Sequence, residues 1–114
     1  MIAFIKKIYF AKFLSYEKLI WVWRPLLQKA KSLHSRKASG NEAFTKGRYE
    51  DALSIYSEAL EIDPLNKNTN AKLYYNRALV DAKLKKMDSA IEDCTKAIEL
   101  DSSYLKAYLK RAKW

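Results

Sequence analysis

A chain of 114 residues with 49% hydrophobic residues, two glycines and two prolines has room for one domain and excludes a disordered or collagen-like class. One cysteine, Cys94, and one histidine, His34, exclude an internal disulfide framework, a cysteine zinc site and a catalytic triad. The formal charge of +9 is local, because residues 1–37 carry nine basic side chains against Glu17 alone, whereas residues 38–114 carry thirteen basic and twelve acidic ones. The larger part therefore has the mixed surface of any solvated helix, and nucleic acid is not expected as a partner.

The opening, residues 1–27, is dense in Ile, Phe, Tyr and Trp. Lys6, Lys7, Lys12, Glu17, Lys18 and Arg24 interrupt it, leaving no apolar run longer than five residues. A membrane span needs about 20 mostly apolar residues, so this stretch does not span one, and it lacks the order of charge, apolar core and cleavage site of a secretory signal. Three readings are open: a helix that packs on the adjoining part of the chain, an interfacial or targeting helix, or a stretch foreign to the rest of the chain. Pro25 is expected to end the first helix, with residues 26–36 forming a second one that leads into the next part.

Residues 40–64, GNEAFTKGRYEDALSIYSEALEIDP, read as two antiparallel helices. Gly47 suits the positive-φ residue that closes the first, and Asp63-Pro64 ends the second, since proline disfavours helical geometry in the residue before it. Small residues at Ala43, Ala52 and Ala59 permit close approach, and Phe44, Tyr49, Leu53, Tyr56 and Leu60 recur at helical spacing. The unit then repeats. A shift of 38 places Ala52 on Ala90, Ile55 on Asp93, Tyr56 on Cys94 and Ala59 on Ala97, and a shift of 34 places Lys72 on Lys106, Tyr74 on Tyr108 and Arg77 on Arg111. The two offsets differ by a polar insert around residues 66–70. Cys94 should be a packed core thiol, and Glu92 and Asp93, on successive helix positions, read as a solvated face.

A period of 34 residues with Gly40, Tyr49, Ala52, Tyr56, Ala59 and Pro64 at the signature slots resembles the tetratricopeptide repeat over residues 32–114. The text LNKNTNAKLYYNRA and DSAIEDCTKAIELDSSYLKAYLKRA is similar to the repeats of J-domain co-chaperones of the DnaJ family, subfamily C. The resemblance implies an all-α helix-turn-helix solenoid: an N-terminal segment at 1–31, a first repeat at 33–66, a second at 71–104, and the opening helix of a third at 105–114. Ala43 and Asp81 depart from the pattern where an aromatic is usual, as do Lys85 for glycine and Ser102 for proline. The third unit stops within its first helix, which should leave Tyr108 and Trp114 uncovered. No His-Pro-Asp tripeptide marks a J domain.

Function follows from the same resemblance. In such solenoids the first helices of successive units line a groove that takes an extended peptide. Lys37 and Asn41, then Asn76, then Lys106 and Lys110 match the carboxylate clamp with which chaperone-binding repeat domains hold the acidic Glu-Glu-Val-Asp tails of heat-shock chaperones of the seventy- and ninety-kilodalton classes. Lys110 departs from the usual arginine. The two asparagines weigh most, because asparagine is a poor interior helix former and Asn76 lies mid-helix without an evident structural reason. The implied protein is a cytoplasmic adaptor, with the nucleus also open to it, that is no enzyme and takes no cofactor or metal. The rival reading is a membrane-associated or organelle-targeted repeat scaffold whose residues 1–27 contact the membrane while the repeats bind another protein.

Overall fold

The computed structural model describes residues 16–114. These form five α-helices and no strand: α1 Tyr16–Thr45, α2 Tyr49–Ile62, α3 Lys67–Lys83, α4 Met87–Leu100 and α5 Leu105–Lys113. The chain divides into two compact units, Met1–Lys31 and Ser32–Trp114. Residues 1–15, on which half of the expectations for the opening segment rest, lie outside the described residues. In the part that is described, Pro25 does not end a helix but lies inside α1. Proline has no N–H for the carbonyl four residues earlier and costs about 3 kcal/mol in a helix interior. The strong helix formers around it, Leu26, Leu27, Gln28, Lys29 and Ala30, carry the helix through.

In the larger unit the helix ends are set by local chemistry. Gly47 has φ 77°, and around it Arg48 N–H donates to the Ala43 carbonyl at 2.8 Å while Gly47 N–H donates to Phe44 at 3.0 Å. This closure satisfies two carbonyls that the end of α1 would otherwise leave open. The end of α3 has the same pattern 38 residues on, with Lys86 N–H on Asp81 at 2.8 Å and Lys85 N–H on Ala82 at 3.1 Å. There the left-handed residue is Lys85, at φ 64°. The polar insert between repeats starts the next helix and ties it to the last. Asn66 Oδ1 accepts the Thr69 N–H at 3.2 Å to cap α3, and the buried Asn70 donates to the Asp63 carbonyl at 2.8 Å.

Two apolar clusters arise from the spacing of small residues. The first gathers Leu33, Ala43, Ala52, Tyr56, Ala59, Leu73 and Val80, and the second Tyr75, Ala78, Cys94, Ala97 and Ala107. Ala52, Ala59, Ala90 and Ala97 are wholly buried, which is what lets α1 and α2, and then α3 and α4, come together. Trp114 corrects one expectation. It is half-buried against the second cluster, with Tyr104 and the buried Ala107, and only Tyr108 of that helix's aromatics is exposed. Tyr104 meets Tyr75 edge to face at 5.1 Å.

Asp93 corrects another. Glu92 is solvated, but Asp93 is buried and paired with Arg77 through two bonds, Nε to Oδ2 and Nη2 to Oδ1, each 2.8 Å. Arg77 also reaches Ser57 on α2 at 3.2 Å. Asp81 is buried beside the pair. Its carboxyl is pushed up to about 7 by burial first and by the neighbouring Asp93 second, against the pull of Arg77 and Lys86. The signal is present in the repeat alignment: Ser39, Ala43 and Ile55 of the first unit become Arg77, Asp81 and Asp93 in the second, a coordinated exchange of a small and two apolar residues for a cation and two acids.

Two measurements check these assignments. A side chain in left-handed geometry costs about 1 to 2 kcal/mol, part of which glycine gives back as unfolded-state entropy, so Lys85→Gly should raise stability by about 1 kcal/mol in urea denaturation with an unchanged slope. For Asp81, a folded-state value above the unfolded one means that the folded state binds the extra proton. Its contribution is present in full below about pH 4 and disappears as pH rises through 7. Asp81→Asn keeps a donor toward Asp93 without the charge, so it should match the wild type below about pH 4 and exceed it by a margin that widens as pH rises, reaching on the order of 2 kcal/mol or more at pH 8. A difference that does not grow with pH would contradict the assignment.

Candidate functional site

Tyr56 is the side chain from which the site is built. It lies on α2, is 2% exposed, and its ring occupies the space that a side chain at Gly40 would need. A Cβ at residue 40 would stand 2.5 Å from Cε1 and 2.7 Å from Cδ1 of that ring. Glycine is thus present at 40 for clearance and not for flexibility, since it sits within α1. With the ring seated there, the hydroxyl emerges one residue further along α1 and donates to Oδ1 of Asn41. Asn76, on α3, donates its Nδ2 to the same oxygen at 3.3 Å. Burial pushes the Tyr56 hydroxyl up to about 12, with the Asn76 amide beside it pulling slightly back, so the phenol remains a donor throughout the ordinary pH range.

The two asparagines therefore meet, although 35 residues separate them in sequence. Between them opens a cleft of about 210 Å³ lined by Asn41, Phe44, Thr45, Tyr56, Asn76 and Leu79. Its walls mix two aromatic rings and a leucine with two amides, the composition of a pocket that takes an apolar side chain while offering hydrogen bonds at its rim. Asn76 does have a structural partner, contrary to the sequence reading: its amide joins α3 to α1. The lysines are placed differently. Lys37 is half-buried one turn before Asn41 on α1, Lys106 is exposed and Lys110 half-buried on α5, and none of the three lines this cleft. No side-chain hydrogen bond or ion pair engages them among the described residues.

What sequence reasoning missed at the site is Tyr56 as a polar participant. Its slot reads as core by spacing, and the ring is core, but the hydroxyl belongs to the cleft. No cluster of His, Cys, Asp or Glu suited to a metal ion occurs among the described residues. Cys94 is fully buried, and burial together with the Asp93 charge pushes its thiol up to about 11, so it is a packing residue.

The tetratricopeptide repeat profile matches residues 38–64 and again residues 71–104. The chain belongs to the tetratricopeptide repeat family. Over 86 residues it is 56% identical to DnaJ homolog subfamily C member 7 of Homo sapiens, an alignment that takes in 75% of this chain and 17% of that protein. The repeat domain thus spans about a sixth of the curated relative it matches. Among solved structures, the second repeat domain of Spaghetti (RPAP3) bound to the HSP90 peptide SRMEEVD superposes with a TM-score of 0.66 at 36% identity, covering 75% of this chain and 78% of that one. The second repeat domain of human RPAP3 in complex with the HSP70 peptide SGPTIEEVD does so with a TM-score of 0.66 at 38% identity, covering 73% and 66%. The matches fall on protein-binding repeat modules and not on a catalytic domain.

Proposed function

We propose that the chain is an adaptor whose repeat unit docks the acidic Glu-Glu-Val-Asp tails of heat-shock chaperones, with Lys37, Asn41, Asn76, Lys106 and Lys110 as its carboxylate clamp. The observation that carries the reading is the meeting of Asn41 and Asn76 at the rim of a partly apolar cleft. The tail-bearing peptides held by the two solved neighbours support the ligand class. In this reading the lysines supply charge and the asparagine amides supply directed donors. Lys110 offers a point charge where an arginine would offer a fork. No J-domain activity is assigned to this chain.

A free carboxylate is the discriminating ligand feature. Hydrogen bonds to a charged group are worth about 1.5 to 3 kcal/mol, so Lys106→Ala should weaken a peptide ending in Glu-Glu-Val-Asp by about tenfold or more in titration calorimetry. Amidating the peptide's C-terminus should cost a similar factor, and Lys110→Arg should bind as tightly or more tightly. Equal binding of free-acid and amidated peptide at moderate salt would sink the clamp, because a diffuse basic surface does not single out one terminal charge.

A second reading concerns the Met1–Lys31 unit. Within it, Trp21 is 78% exposed, and Val22, Leu26 and Leu27 are each more than half exposed, on a helix that also carries Arg24, Lys29 and Lys31. No described helix is long and apolar enough to cross a membrane. Exposed aromatic and branched side chains with cations between them favour a helix lying in the plane of an anionic bilayer. Vesicles containing phosphatidylserine should then cosediment the full chain and release it when Leu26 and Leu27 are both changed to Glu. Identical sedimentation of the two chains would remove this reading without touching the first.

A further inference from the structure

The polarity of the cleft depends on which end of the Asn41 amide faces outward. An asparagine side chain has an acceptor oxygen and a donor nitrogen of nearly equal size, so a half-turn about its last bond changes a site that attracts carboxylates into one that repels them. In this structure two donors converge on Asn41 Oδ1, the Tyr56 hydroxyl and Asn76 Nδ2. The Asn41 NH2 makes no hydrogen bond among the described residues, and the residue is exposed. The oxygen is turned toward the protein and the nitrogen toward solvent.

We propose that Tyr56 is a positioning residue for ligand selection: its hydroxyl holds the Asn41 amide with oxygen inward and NH2 outward, so that the cleft prefers a carboxylate to a carboxamide. The inference rests on the clamp reading above and adds a residue that acts on the carboxylate through Asn41. If both amides turned over together, their mutual bond would survive with Asn76 Oδ1 accepting from the Asn41 NH2, but that NH2 would also face the Tyr56 oxygen and the hydroxyl proton would lose the acceptor it has now. Losing that acceptor would leave the hydroxyl of the buried Tyr56 with an unpaired proton, and this holds the oxygen-inward orientation dominant. With phenylalanine at 56 the two amides can turn over together and keep their mutual bond. Asn41 then shows nitrogen or oxygen outward with similar weight. The ring stays seated opposite Gly40 in either case, so packing is conserved while selection is lost.

The test compares wild type and Tyr56→Phe, each as the full chain, against a Glu-Glu-Val-Asp peptide with a free and with an amidated C-terminus. Halving the competent orientation should weaken the free acid about twofold, leave the amide unweakened, and so reduce the acid-to-amide affinity ratio by about twofold or more. The Asn41 side-chain carbonyl carbon should shift in the NMR spectrum of the variant, because it has lost a donor, while the helical melting curve stays close to that of the wild type. If the wild type discriminates and Tyr56→Phe does so to the same degree, the clamp stands and the role of Tyr56 is overturned. Equal weakening of both peptides with a lowered melting temperature also overturns it, as the mark of a purely structural residue. If the wild type itself does not discriminate, the carboxylate reading fails and the selectivity assigned to Tyr56 fails with it. Should the variant not fold, peptide-filtered contacts from the Asn41 NH2 protons of the wild type decide: contacts to the terminal carboxylate's residue support the orientation, and their absence in the bound complex contradicts it.

Discussion

The ring of Tyr56 set against the bare backbone of Gly40 is the contact on which both the core and the cleft of the first repeat depend. It brings α2 against α1 without a Cβ between them. The wholly buried Ala52 and Ala59, one turn and a little less to either side, let the rest of α2 follow. The ring fills that gap and its hydroxyl emerges at the next residue of α1, where Asn41 accepts it. The same side chain thus transmits the spacing of two helices to the orientation of an amide on the surface. Interiors packed to crystal-like density make such transmission stiff, since a buried ring has little room to tilt.

The second repeat keeps this geometry with other chemistry. Cys94 takes the slot of Tyr56 and is equally buried, but a thiol fills less of it and sends no polar group out of the core. The cross-helix polar tie moves instead to Arg77, which joins α3 to α4 through Asp93 and to α2 through Ser57. A buried ion pair repays its desolvation only when the geometry is good, and the two parallel bonds to Asp93 are of that kind. Asp81 is the cost of the arrangement. It is a buried second acid beside Asp93, whose two bonds already engage Arg77, and the charges of Arg77 and Lys86 do not offset its burial.

Much of this can be read from the letters, and the exceptions have physical causes. The helix ends at Gly47 and Asp63 are legible because a left-handed residue and a proline leave few alternatives. Lys85 shows the limit of that rule: the closure around it is satisfied by backbone bonds, which outweigh the strain of an unsuitable side chain. Pro25 is a second limit, where neighbours of high helix propensity carry a helix past a residue that alone would end it. Asp93 reads wrongly as solvated because burial of a carboxylate depends on a partner sixteen residues away that no local pattern announces. Asn41 and Asn76 are legible as candidate site residues, yet their contact and the tyrosine between them are not, because spacing along a helix identifies a face and says nothing of which side chains on two such faces touch.

Cys94 has a consequence for how this molecule can be watched. It is the only thiol in the chain, it is fully enclosed by the second cluster, and its environment disfavours the thiolate that reacts with alkylating reagents. Modification therefore has to wait for α3, α4 and α5 to separate, so the labelling rate of the untouched protein is a clock for the opening of the second repeat. Any ligand that tied α5 to the earlier helices would slow that clock, with no dye, tag or engineered cysteine required.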